Sequence, residues 1–388
     1  MPISRKPRYF GATAITLGLM LLAACASKAP PKPDEAKIQA FAEKGYLRVD
    51  RNAITTTLAT VRTEGRSVDV ALSAPTRRGP FPLVVYLPAL GETCSAGEIW
   101  RTAWAKAGYA VLSIQPLSDD SSIWSSAQAR AGDFADIARE RYSADVMTAR
   151  IEALRFVLSE VVRKHDVAGG LFNQIDPART AIAGYDMGAY VAMLVAGEKK
   201  RNVAPPGLPV NVVAVIALSP FADHAGDALT ERYSGIHGPV ISITSDADTD
   251  PLGLVSPASA RKAPFEYMPG GEKYLLNLSN ANHRTLAGSA MTAEENQHEV
   301  DARNSGHRQR KRKDPDGSET GRQDDFYVGG ISIGNRISPT DLAIAVVAIE
   351  NVTVAFLDAW LNNDSIAREW LRKGGPRWLT PVGELKLK

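Results

Sequence analysis

A handful of short apolar runs constrains the fold of this 388-residue chain more than any other feature. They are PLVVYLP (82–88), YAVLSIQ (109–115), NVVAVIALS (211–219), PVISITS (239–245) and KYLLNLS (273–279). Each is strand-length and apolar on both faces, as strands in the middle of a parallel sheet must be. Helical patterns lie between them. AGEIWRTAWAKAG ends at Gly108, residues 143–164 repeat Val146, Ile151, Leu154, Val157 and Val161 at helical spacing, and GAYVAMLVAG follows the strand RTAIAGY. SVDVALSA alternates instead, with Val68, Val70 and Leu72 on one face, as in a half-buried antiparallel strand. The order predicts an α/β fold: a mostly parallel central sheet, helices on both faces, and an antiparallel N-terminal lead-in. With 44% hydrophobic residues the chain can bury one large core, so 45–388 is expected to be a single domain. There is no internal repeat.

The first residues do not belong to that core. Arg5, Lys6 and Arg8 precede an apolar run from about Ala12 to Ala24, too short for a stable membrane span. The run ends in Leu22-Ala23-Ala24-Cys25, similar to the lipobox of bacterial lipoprotein signal peptides. Residues 1–24 are therefore expected to be cleaved, leaving Cys25 lipidated and the protein exported and anchored to a bacterial membrane, facing the periplasm. An ordinary secretory signal that happens to hold a cysteine is the alternative. Cys94 would then lack a disulfide partner. Cleavage takes Lys+Arg from 45 to 42 against 43 Asp+Glu, a net charge of −1, which does not suit a nucleic-acid partner. Residues 25–44, with Pro30, Pro31 and Pro33, read as a flexible tether. Residues 342–361 have helical spacing interrupted by Glu350, Asn351 and Asp358, and read as a surface helix packed on the core. Residues 292–325 have almost no large apolar side chain and read as a disordered insertion; its Arg308–Lys313 run is open to an anion-binding reading.

The chemistry centres on Gly184-Tyr185-Asp186-Met187-Gly188. This has the spacing of a G-x-S-x-G nucleophile elbow, a sharp strand-to-helix turn that lifts its central side chain above the sheet. Aspartate stands where serine is expected. An acidic loop, TSDADTDP, then holds Asp246, Asp248 and Asp250, and His283 ends the segment LSNANH. Nucleophile, acid, histidine is the chain order of the α/β-hydrolase fold. There is no paired-histidine spacing and no cysteine cluster, so neither a metal nor a cofactor is expected.

These segments resemble those of the predicted dienelactone hydrolases and the bacterial relatives of platelet-activating-factor acetylhydrolase, which are α/β-hydrolases. PLVVYLPALGE is similar to that family's PLVVFSHGLGG, GYDMGAY to GHSMGGY, TSDADTDP to TGTADxDP, and YLLNLSNANHRTLAG to YLLxLxGANHxxFxG. The C-terminal AFLDAWLNNDSIAREWL is similar as well. The resemblance covers roughly residues 45–291 and 339–373. It implies Asp186 at the nucleophile position, Asp248 as acid and His283 as base. It also implies an oxyanion hole from the backbone N–H groups of Leu90 and Met187. The departures are Asp186 for serine and Pro88-Ala89 for the His-Gly pair; Ala89 adds a Cβ beside the hole.

Three readings stay open at this point. Asp186 attacks a saturated carbon, as in the related haloalkane dehalogenases and epoxide hydrolases, and His283 activates water to cleave the resulting ester. Those enzymes usually carry Trp or Arg after the aspartate, where this chain has Met187; Trp124 lies in a segment able to cap the site. Alternatively, Asp186 acts as a general base on an ester. In the third reading the chain is a catalytically inactive binding protein for a small-molecule ligand. Attack on an acyl carbon would give an anhydride, so simple esterase chemistry suffers most. The sequence gives no reading of oligomeric state.

Overall fold

The apolar runs become the middle of one sheet. The computed structural model describes residues 32–46, 52–118, 120–222, 228–250, 255, 257–289 and 337–388. A helix α1 (Glu35–Ala42) precedes strands β1 (Ile54–Thr63), β2 (Arg66–Pro75) and β3 (Phe81–Leu87). Helix α2 (Glu98–Ala107), strand β4 (Ala110–Ile114), a 3₁₀ turn (Asp120–Ser125) and helices α3 (Ala127–Ala131), α4 (Phe134–Arg141) and α5 (Ala144–Lys164) follow. Then come β5 (Ile175–Tyr185), α6 (Met187–Ala196), β6 (Val212–Leu218), α7 (Leu229–Tyr233), β7 (Val240–Ala247), α8 (Ala263–Tyr267), β8 (Lys273–Asn282) and α9 (His283–Ala287). The chain closes with α10 (Pro339–Leu361), α11 (Ser365–Glu369), α12 (Gly375–Leu379) and β9 (Gly383–Leu387).

Among the described residues, nine strands form one sheet in the order β1-β2-β4-β3-β5-β6-β7-β8-β9. The six strands from β4 to β8 run parallel. β2 is antiparallel to β1 and β4, and β9 to β8. The α/β architecture with its antiparallel lead-in is the one the apolar pattern predicts. β3 and β4 are buried at every position because the pleat sends alternate side chains into two cores. Leu83 and Val85 meet Met147, Leu154 and Val157 of α5 on one face. Val84 and Tyr86 share the other with Trp100 and Trp104 of α2 and Phe356 of α10.

Two expectations need correction. Helix α10 is a core helix: from Ala348 to Leu361 it is buried at Ala348, Ile349, Val352, Val354, Phe356, Leu357 and Leu361, and at the polar Asn351 and Thr353. Its polar interruptions are satisfied internally. Asn351 donates to the Val347 carbonyl at 2.8 Å, Thr353 receives the Trp104 indole N–H at 2.9 Å, and Asp358 accepts from Tyr46 and Tyr109. The reading of 25–44 as a flexible tether also fails in part, because Glu35–Ala42 is helical. Asp34 caps it, accepting from the Lys37 N–H at 3.2 Å, α1 packs on α10, and Phe41 stacks on Trp378 with centroids 4.3 Å apart. One aromatic anchor suffices to dock a short charged helix whose composition looked fully solvated. Residues 1–24 with the signal peptide, Cys25 and the insertion at 292–325 lie outside the described residues.

Residues 120–141 lie between β4 and α5, and the Trp124 indole fills the space that a Cβ on Gly91 would need. They are pinned by a buried ion pair, Asp120 to Arg150 of α5 at 2.6 Å, with both side chains at most 2% exposed. Breaking such a pair strands a charge in the core, at about 3–5 kcal/mol. Asp120→Ala should therefore lower the urea-unfolding free energy by about that amount. Asp120→Ala/Arg150→Met should recover much of it, and a single variant as stable as the wild type would show that the pair does not hold this segment.

Candidate active site

From β3 the chain goes first to β4 on one side, then returns to β5 on the other. Such a reversal opens a crevice at the carboxyl ends of the strands. Leu87 pairs with Gly184, so the loops after β3 and β5 leave the sheet side by side. The candidate residues follow the ends of adjacent strands: Glu92 after β3, Asp186 after β5, Ser219 after β6 and Asp248 after β7. His283 opens α9 directly after β8.

The turn at Asp186 is sharp. Its backbone sits at φ 49°, ψ −108°, a region that costs a non-glycine residue about 1–3 kcal/mol. It persists because the surroundings leave no alternative. The Asp186 N–H reaches the Leu218 carbonyl at 3.0 Å, and the Asp186 carbonyl starts α6 by accepting from Tyr190 at 3.0 Å. A Cβ on Gly188 would run into the Leu87 carbonyl, and one on Gly184 into the Gly188 backbone. Met187 is the first residue of α6, so its N–H has no intrahelical acceptor.

Acid and base meet directly. His283 Nδ1 lies 2.8 Å from Asp248 Oδ1. Ser219 donates to the same oxygen at 2.8 Å and lies 3.0 Å from Nδ1, and Thr244 donates to Oδ2 at 2.7 Å. With Ser219 giving its proton to Asp248, Nδ1 carries the imidazole proton and Nε2 keeps its lone pair, the tautomer a general base needs. Burial opposes ionisation of Asp248, but the Arg261 guanidinium, the His283 hydrogen bond and the Thr244 hydroxyl outweigh it and hold its pKa below the ordinary value. The neighbouring acids serve elsewhere. Asp246 pairs with Lys262 at 2.9 Å in an exposed position, and Asp250 accepts from the Val255 N–H at 2.8 Å.

Asp186 is 6% exposed. Tyr142 donates to its Oδ2 at 3.1 Å, and Arg261 Nη1 stands 3.9 Å from Oδ1. Burial raises its pKa; the charges of His283 and Arg261 and the Tyr142 hydrogen bond resist, and Asp250 adds to the rise. Asp186 and His283 are thus within electrostatic reach of each other. Leu90 lies buried in the loop after β3. In that loop, however, the Ala89 N–H is taken by the Glu92 carboxylate at 2.9 Å.

Glu92, Arg261, Ser219 and Tyr142 are the residues that reasoning from sequence missed. Glu92 left a trace, an acid where the similar family motif ends in glycine. Burial pushes its pKa up to about 7; the Ala89 hydrogen bond opposes this, Asp186 adds to it, and His283 counters it. Arg261 left none. It comes from the segment before α8 and is joined to Ser219 and Asp248 only by tertiary structure. Among the described residues no group of three His, Cys, Asp or Glu side chains could hold a metal ion. No protein-family model matches the chain, and no curated protein is significantly similar to it.

The raised pKa of Glu92 has a thermodynamic consequence. Between about pH 4.5 and pH 7 the folded state holds a proton that the unfolded state releases, so this contribution is full at low pH and fades as pH rises through about 7. Glu92→Gln cannot ionise and escapes that loss. The Tm of Glu92→Gln minus that of the wild type should increase from pH 5 to pH 8; a constant difference would mean that Glu92 titrates normally.

Proposed function

We propose that the chain is an α/β-hydrolase-fold hydrolase in which Asp186 is the nucleophile and His283, oriented by Asp248, is the base. The observation that carries this reading is the conjunction of a strained elbow at Asp186 with an imidazole fixed in the base tautomer on the neighbouring strand end. The chain order, with nucleophile after β5, acid after β7 and histidine after β8, supports assignment to that fold. Attack on a saturated carbon suits a carboxylate. One Asp186 oxygen displaces a leaving group, a haloalkane or epoxide carbon being the type, and forms an alkyl ester. Water that loses its proton to His283 Nε2 then attacks the Asp186 carbonyl carbon. Arg261, whose Nη2 is buried without a hydrogen-bond partner, is the cation nearest the oxygen on which charge develops. The alcohol departs with the proton from His283, and Asp186 returns as carboxylate.

Ester hydrolysis through an acyl-enzyme is disfavoured further by Glu92. A carboxylate folded against the Ala89 N–H opposes negative charge in the loop where an oxyanion would form. A second reading, an inactive ligand-binding protein, is favoured by the engagement of both Asp186 oxygens, one by the Tyr142 hydroxyl and one by the Arg261 charge. We further propose that lipid on Cys25 anchors the protein to a bacterial membrane on the periplasmic side, with a small molecule as substrate.

His283→Gln separates the two functional readings. Exposed to a panel of haloalkanes and epoxides, it should accumulate the substrate's added mass on the Asp186 peptide, and turnover should fall by about 10²–10⁴. No adduct with any of them, together with no hydrolysis by the wild type, would favour the binding protein. Cys25→Ala should abolish membrane attachment; attachment and processing unchanged in that variant would refute lipidation.

A further inference from the structure

We propose that Glu92 is the general acid of this site, delivering a proton to the leaving group, and that the substrate therefore leaves through oxygen, as the carbon of a strained cyclic ether does. The inference rests on the proposed role of Asp186 as nucleophile and deepens it.

The geometry comes first. Glu92 follows β3 by a tight loop whose Gly91 is at φ +85° and is covered by the Trp124 indole. The loop turns the side chain back so that Oε2 accepts from the Ala89 N–H at 2.9 Å. One carboxyl oxygen is thereby fixed, leaving Oε1 as the proton-carrying end. The Glu92 carboxyl senses the charges of both Asp186 and His283, so it lies on the reacting side of the sheet. The other titratable groups that feel it are the buried Tyr86 and Tyr185, whose phenols are pushed upward by burial and stay neutral. Asp186 therefore has beside it a second carboxyl that holds its proton to about pH 7. Two carboxyl groups whose environments differ divide the roles: one ionised nucleophile, one protonated acid. Tyr142, the other hydroxyl at Asp186, already gives its proton to Oδ2, the nucleophile itself.

The leaving group follows from this acid. A departing halide is a very weak base and gains little from a proton, and an ionised Glu92 would repel it. A departing alkoxide is a strong base and gains greatly. In the balanced sequence, an Asp186 oxygen forms a bond to a ring carbon while the ring C–O bond breaks. Its electron pair goes to the ring oxygen, which takes the Glu92 proton and becomes a hydroxyl. Glu92 is left as carboxylate and regains a proton from solvent. Water, deprotonated by His283, cleaves the hydroxyalkyl ester, and the alcohol oxygen leaves with that proton. The net reaction is cyclic ether plus water to vicinal diol.

The test compares 1,2-epoxyhexane with 1-bromohexane in the His283→Gln background, reading the rate of mass addition to the Asp186 peptide from pH 5 to pH 9. Epoxide alkylation should fall as pH rises above about 7, while bromide alkylation lacks that decline. Adding Glu92→Gln should lower the epoxide-to-bromide rate ratio at pH 6 at least tenfold and abolish the decline. An unchanged ratio and an unchanged pH profile would overturn the role of Glu92 while leaving Asp186 as nucleophile. Alkylation by the bromide alone would overturn the substrate class. No adduct from either probe would overturn the nucleophile itself, and this inference with it. Should Glu92→Gln not fold, the pH profile with Glu92 intact decides: a flat epoxide rate across pH 7 overturns the proposal.

Discussion

One buried guanidinium organises the candidate site. Arg261 is fully buried, and it donates to the carbonyls of Asp248 at 3.1 Å, Ser219 at 3.0 Å and Pro220 at 3.1 Å. Its Nε stands 3.4 Å from Asp248 Oδ1 and its Nη1 3.9 Å from Asp186 Oδ1. Two carboxylates buried this close would repel each other and draw protons; the cation between them lets Asp248 stay ionised and orient His283. The same cation fixes the backbone after β6, where Ser219 adopts φ 52° and so reaches both Asp248 and His283. Removing Arg261 would disturb acid, base and nucleophile together.

The environment also sorts the acids that crowd this end of the sheet. Asp248 has a donor for each oxygen and a cation beside it, so ionisation is favoured. Asp186 has one hydroxyl and a more distant cation, so burial leaves its pKa above the ordinary value. Glu92 has one backbone N–H and two nearby acids or bases of opposing effect, and it keeps a proton close to neutrality. A graded series from ionised acid to protonated acid within one crevice is what acid–base chemistry at a saturated carbon requires.

The sheet was legible because buried parallel strands must be apolar on both faces, and β3, β4, β6, β7 and β8 each announce themselves that way. The edge strands were not. Leu58 of β1 is 66% exposed, and β9 is a short GELKL; strands with one open side carry polar residues and lose the pattern. Helix α10 misled for the opposite reason, since its Asn351, Thr353 and Asp358 are polar residues satisfied inside the protein. At the site, Asp186, Asp248 and His283 were readable from spacing and chain order. Arg261 and Tyr142 act across 13 to 44 residues of sequence, through contacts that only the folded chain creates. Glu92 was visible only as an unexplained departure from glycine.

The claim that Asp186 is the nucleophile is tested most directly by a single turnover in ¹⁸O-labelled water with enzyme in excess over 1,2-epoxyhexane. Water that attacks the ester carbonyl leaves its oxygen in the enzyme, so label should appear in the Asp186 carboxylate and not in the diol. Label found in the diol alone would mean that water attacks the substrate directly, and would contradict a covalent role for Asp186.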